Sequence, residues 1–229
     1  MSRMHFHEEL EALELKLSTM GELAAGAVRK STDCLLEHDH VKALEVIAED
    51  DPIDELYMAI DHGILSLLAL QAPVASDLRL VSVLMHTSGH LERIGDQAVN
   101  IAKLFEVTRD EPASEPILQM IREMGDIAVE MVRTAMDALR RRDLELCRRL
   151  PDMDDPIDRL NRHMHLEVAK LADDPRALDW GMHMNMVARA LERVGDNAVD
   201  IGEQVEFLLT GEYREFTDAT ATGVIADED

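Results

Sequence analysis

Over residues 8–37 the apolar side chains Leu10, Leu13, Leu17, Met20, Ala24 and Ala27 recur at intervals of three and four, with charged residues between them. That is the period of a helix burying one face. His38-Asp39-His40 interrupts the pattern, and Asp39 is placed to cap a second helical stretch over residues 41–71. Pro52 falls inside that stretch. The favoured reading is one long helix kinked at Pro52; the alternative is a fresh helix capped by Asp51 with Pro52 in its first turn. Ala72-Pro73 ends the stretch, and Ser76 or Asp77 is placed to cap a third helix reaching residue 107. Residues 108–116, with two prolines, read as a linker.

The same order then recurs. Residues 117–141 match the first helix, with Met124-Gly125-Asp126 against Met20-Gly21-Glu22. Residues 144–172 match the second, with Asp154-Asp155-Pro156-Ile157-Asp158 against Asp50-Asp51-Pro52-Ile53-Asp54. Both matches share an offset of 104. In the third helix LERIGDQAVNI (91–101) and LERVGDNAVDI (191–201) agree at eight of eleven positions at an offset of 100, so about four residues are missing between 171 and 180. A tandem repeat follows. Three helices joined by short turns make an up-down-up bundle. The predicted fold is therefore all-α, two tandem antiparallel three-helix bundles with pseudo-twofold symmetry. The expected division is 1–110, 111–212, and an acidic tail, 213–229, that is disordered or straps the second domain.

Composition supports helices packed through aliphatic side chains, since aromatics are 3% and hydrophobic residues 46%. The net charge of −24 speaks against nucleic acid and anionic membrane surfaces, and favours cations, metals and basic protein surfaces; solubility accounts for most of it. Cys34 and Cys147 form no C-x-x-C pair, which fits a reducing compartment and offers no structural zinc site. The first ten residues carry charges and histidines rather than an apolar leader, and the longest uncharged run, 63–76, is too short to span a bilayer. A cytoplasmic protein without direct membrane insertion is expected.

The repeated phrase also carries the candidate chemistry. Glu92, Asp96 and Asn100 lie at i, i+4 and i+8, as do Glu192, Asp196 and Asp200, so each set shares a helical face. Like charges so placed cost about 0.2–0.5 kcal/mol per pair in water, and more when buried, which calls for a cation or a neighbouring arginine. Asp51 with Asp54, and Asp155 with Asp158, share a face of the preceding helix and face the first set, giving four carboxylates per bundle. Oxygen-rich sets suit Mg²⁺, Ca²⁺ and Mn²⁺, with iron also compatible. Gly95 and Gly195 each cost a helix roughly 0.5–1 kcal/mol relative to Ala, which points to close approach of a helix, metal or partner.

The competing account is a surface salt-bridge lattice built on Arg93 and Arg193. His86 and His90 share a face, but Met186 and Ala190 replace them in the second repeat; His163 and His165 cannot share one. Phosphate-loop, serine-elbow and Cys–His signatures are absent, and glycine stands where a di-iron Glu-x-x-His motif needs histidine.

Taken together, the two Glu-Arg-hydrophobic-Gly-Asp phrases, the segment Gln71-Ala72-Pro73-Val74-Ala75-Ser76-Asp77-Leu78-Arg79, the Asp-x-Ile-Asp pairs and Thr210-Gly211-Glu212 resemble the PhoU family of bacterial phosphate-uptake regulators. The resemblance spans roughly residues 5–216. It implies two PhoU domains, a cytoplasmic location, homodimerisation and no enzymatic activity. It also implies metal ions, some in multinuclear clusters, with iron, zinc, manganese and magnesium all open. By position the ligands are Glu92, Asp96, Glu192 and Asp196, faced by Asp51, Asp54, Asp155 and Asp158; Asp200 against Asn100 makes the second site the better expected cation binder. The implied role is negative regulation, linking the phosphate ABC transporter ATPase to a sensor histidine kinase. A metal-dependent carboxylate-cluster enzyme and a metal-free helical scaffold are the alternatives.

Overall fold

A computed structural model describes residues 3–48, 50–70 and 73–216. The described residues are helical and contain no strand: α1 (Arg3–Leu36), α2 (His40–Ala48), α3 (Asp51–Leu70), α4 (Ala75–Thr108), α5 (Glu115–Arg141), α6 (Leu144–Ala169) and α7 (Pro175–Thr210). The all-α, two-bundle architecture stands as expected. Helices α1 to α4 form one bundle and α5 to α7 the other, α5 matching α1, α6 matching α2 plus α3, and α7 matching α4. None of these helices is long and apolar enough to cross a membrane.

The Asp-Pro segment behaves differently in the two repeats. In the second, Pro156 is accommodated inside the continuous helix α6. In the first, the long kinked helix gives way to two helices, and Pro52 sits in the first turn of α3, where its missing N–H costs nothing. The backbone carbonyl of Asp50 accepts from the N–H groups of Ile53 and Asp54, starting the new helix. Asp39 does cap α2, its carboxylate accepting from Val41 and Lys42 N–H. Val74, not Ser76 or Asp77, stands at the N-cap of α4, without a side-chain cap.

The bundles join along α1–α5 and α4–α7. Each of these pairs maps onto itself when the repeats are exchanged, so the pseudo-twofold axis runs between them. The α1–α5 crossing uses matched small residues: Gly21 lies under Met136 and Gly125 under Thr32, the same relation seen from either repeat. A continuous apolar core built of Leu17, Met20, Leu91, Ile94, Ile121, Leu191 and their neighbours fills the centre.

Past α7, residues 212–216 fold back rather than continue the helix. Gly211 takes the left-handed conformation that ends it (φ 78°). Phe216 N–H donates to the buried Glu203 carboxylate at 2.5 Å, and Tyr213 Oη donates to it at 3.4 Å. The start of the acidic tail is thus a strap on the second bundle; residues 217–229 lie outside the described residues.

Candidate functional site: two facing carboxylate patches

Each repeated phrase sits mid-way along its bundle's last helix, with Leu91, Ile94 and Ala98, or Leu191, Val194 and Ala198, turned into the core. That fixes Glu92 and Asp96, and Glu192 and Asp196, along the flank facing α3 or α6. The close approach anticipated at the glycines is that of the preceding helix. A Cβ on Gly95 lies 3.0 Å from Ile53 Cδ1 and 3.7 Å from Asp50 Oδ1, and one on Gly195 would collide with Asp154 Oδ1.

These contacts reveal two residues that the sequence reading passed over. Asp50 and Asp154 approach the repeated phrase, each paired at i, i+4 with Asp54 or Asp158, the same spacing as Glu92/Asp96. Asp51 is exposed at the first turn of α3 and figures only as the weakest charge acting on Asp50. Asp155, one residue past Asp154, is half-buried. The shared 104-residue offset of Asp50 and Asp154 was a usable signal, and so was the i, i+4 spacing.

The electrostatics of the first patch follow from four acids with no direct ion pair, Lys103 acting on Asp50 and Arg93 on Glu92 only at longer range. Burial, then the charges of Asp54 and Asp96, push the Asp50 carboxyl above its ordinary range. Burial, then Asp96 and Asp54, does the same to Glu92. Among the described residues no ion pair involves Asp50, Asp54, Glu92 or Asp96.

The second patch differs. Burial raises Glu192 although Arg189 Nη1 stands 2.5 Å from both its oxygens. Arg162 pairs with Asp158 at 3.2 Å. Asp196 is solvent-exposed, yet desolvation by the surrounding helices and the charges of Glu192 and Asp158 push its carboxyl up to about 6. The repeat mate of Arg189 is Gly89, so the first patch has no equivalent cation.

Asp200 turns elsewhere. His90 Nδ1 lies 3.5 Å from Asp200 Oδ2 and 2.9 Å from Asn197 Oδ1. Asn197 Nδ2 donates to Arg193 O at 2.7 Å, which fixes the amide orientation and makes its oxygen an acceptor. His90 therefore carries its proton on Nδ1 and ties α4 to α7. Asp200 is thus engaged away from the patch, and Arg189 gives the second patch a direct counter-charge that the first lacks.

Both patches offer carboxylate oxygens from two helices, the donor type for hard cations. Among the described residues no three His, Cys, Asp or Glu side chains are yet gathered as an ion would gather them. Comparison with known proteins sets this geometry in context. A protein-family profile described as the PhoU domain matches twice, over residues 17–105 and 121–205.

The chain belongs to the PhoU family.

It is 33% identical to a phosphate-specific transport system accessory protein PhoU homolog of Pseudomonas aeruginosa, over 90% of this chain and 86% of the relative. It is 34% identical to the homolog of the same description from Pseudomonas putida, over 90% and 81%. The crystal structure of PhoU from Pseudomonas aeruginosa superposes with a TM-score of 0.86 at 32% identity, covering 90% of this chain and all of that one. The phosphate transport system regulatory protein PhoU from Streptococcus pneumoniae gives 0.84 at 27% identity, with 91% and 99% covered. In this PhoU chain the repeated phrases carry the paired carboxylates, and the glycines within them let the preceding helix close over.

Proposed function

We propose that this chain is a non-enzymatic accessory protein of a phosphate-specific transport system. It acts in the cytoplasm as a homodimeric adaptor that holds a sensor histidine kinase off through the transporter ATPase when phosphate is plentiful. The observation that carries this reading is the match to relatives named as accessory or regulatory proteins over nine-tenths of the chain. The charge of −24 supports docking onto basic protein surfaces, where complementary fields speed encounter and suppress wrong partners.

We also propose that the patches bind metal ions, the first through Asp50, Asp54, Glu92 and Asp96, the second through Asp154, Asp158, Glu192 and Asp196. The cation neutralises acids that burial and mutual repulsion otherwise hold in an unfavourable charged state. The carboxylates contribute oxygens by rotating toward the space between the helices, and Arg189 must swing away before the second patch fills.

Deleting the gene in its native host should raise phosphatase expression in phosphate-rich medium, and the purified chain should retain the transporter ATPase in a pull-down. Constitutively low phosphatase and no retained ATPase would overturn the adaptor reading. Metal analysis after incubation with iron, zinc, manganese or magnesium tests the patches separately: Glu92→Ala/Asp96→Ala should remove the metal of the first patch and Glu192→Ala/Asp196→Ala that of the second. Only trace metal in the wild-type chain would favour a scaffold neutralised by its own arginines.

A further inference from the structure

Beside the patches, on the seam between the C-terminal half of α4 and the N-terminal half of α7, lies an open groove of about 560 Å³. Its polar lining is Gln97, Asn100 and Lys103 from α4 and Asn185, Arg189 and Arg193 from α7. No acidic side chain lines it, in a chain with 47 acids against 23 lysines and arginines. Lys103 and Arg193 make no ion pair among the described residues.

The repeat supplies an internal control. Exchanging the two bundles maps this groove onto a second seam, where Asp200 stands for Asn100, Glu203 for Lys103, Gly89 for Arg189 and His90 for Ala190. That seam is bridged. His90 fills the space Ala190 leaves empty and bonds to Asn197 across it, while Glu203 is taken up by Phe216 N–H and Tyr213 Oη of the strap. One of two equivalent seams is thus acidic and internally satisfied, and the other is basic and open.

We propose that the open α4–α7 groove binds a small molecule through a phosphoryl group. Two cations without a direct ion-pair partner, though each acts at longer range on a patch carboxylate (Lys103 on Asp50, Arg193 on Glu192), plus three amides offer more donors than the two oxygens of a carboxylate can use; a phosphoryl group presents three or four acceptors. Arg193 supplies a planar fork and Lys103 a compact charge from the opposite wall. Leu104, Val107 and Met186 give the groove an apolar side that suits an organic body attached to the phosphoryl group, and its volume is in the ordinary range for small-ligand sites. The inference stands on the groove alone and is independent of the adaptor reading.

Calorimetric titration of the full chain, freed of metal, with inorganic phosphate, AMP, ADP and, for comparison, sulfate provides the test. Saturable binding of at least one phosphoryl compound is expected, with sulfate weaker. Phosphate alone sufficing identifies the free anion as the source; a requirement for AMP or ADP identifies an organic phosphate. Lys103→Glu and Arg193→Ala should each weaken binding at least about tenfold, the effect of one lost charge-assisted contact. Arg93→Ala, the mate position in the bridged seam, should leave it unchanged. Absence of saturable binding at millimolar concentrations, or equal affinity in both groove variants and wild type, overturns the proposal.

Discussion

Three glycines on matched helices offer a graded experiment. Replacing a helical glycine by alanine gains roughly 0.5–1 kcal/mol from the reduced entropy of the unfolded chain when nothing obstructs the new methyl. At Gly89 nothing lies within 4 Å of the added Cβ, so Gly89→Ala should show that full gain. At Gly95 the methyl meets Ile53 Cδ1 at 3.0 Å and Cγ2 at 3.4 Å, and a small rotation of the isoleucine accommodates it; Gly95→Ala should be near neutral. At Gly195 the methyl collides with Asp154 Oδ1, on a side chain only 5% exposed. Overpacking costs about 1–3 kcal/mol, and displacing a buried carboxylate places this case toward the upper end. After the helical gain, Gly195→Ala should lose about 1–2 kcal/mol, and at roughly 2–4 °C per kcal/mol for a chain of this size Tm should fall by about 2–8 °C. Thermal unfolding followed by circular dichroism in the presence of a chelator ranks the three. A Gly195→Ala protein as stable as Gly89→Ala would falsify the assignment of Asp154 to the surface of Gly195.

Other outcomes follow from individual groups. Because the folded Asp196 carboxyl titrates near 6 and an unfolded aspartate near 3.8, the native state holds the proton more tightly between those values. Stability of the metal-free protein should therefore fall as pH rises from about 4 through 6; Asp196→Asn should flatten that limb in chemical-denaturation curves, and an unchanged limb counts against the shift. Glu203→Ala removes the acceptor for Phe216 N–H and Tyr213 Oη at a buried position, and should cost about 1–3 kcal/mol together with faster proteolysis of the strap; unaltered cleavage kinetics would contradict its anchoring role. Cys34 and Cys147 are buried with thiols pushed up to about 12, so a disulfide reagent at pH 8 should label them only under denaturing conditions. Rapid labelling of the native chain would refute their burial.

Much of this molecule is written in its periodicity. The three-and-four spacing of Leu10, Leu13 and Leu17 and the duplicated phrase dictate helices, their order and their doubling, because those features depend only on local pattern and on the improbability of coincidence. The split of the second helix at Asp51 was harder to read, since Pro52 and Pro156 stand in nearly identical words yet only the first ends a helix. Of the four partner aspartates, Asp51 and Asp155 stand one residue past the ones that approach the repeated phrase, for a related reason: which side of α3 meets α4 is set by Ile53 packing on Gly95, a tertiary contact with no signature in a single helix's pattern. Arg189 was invisible as a counter-charge because its mate is a glycine, and a search for what the repeats share passes over what they do not.

The self-mapping of the α1–α5 and α4–α7 seams has a consequence for where such a chain comes from. A polypeptide with only one repeat would present the apolar flanks of its first and last helices to water, and those flanks are complementary to their own copies turned by half a revolution. Two such chains would close as a symmetric dimer. Fusing them end to end preserves every contact while freeing each half to mutate alone, and the unlike seams, one bridged by His90 and one left open around Lys103, are the divergence that a strict dimer forbids.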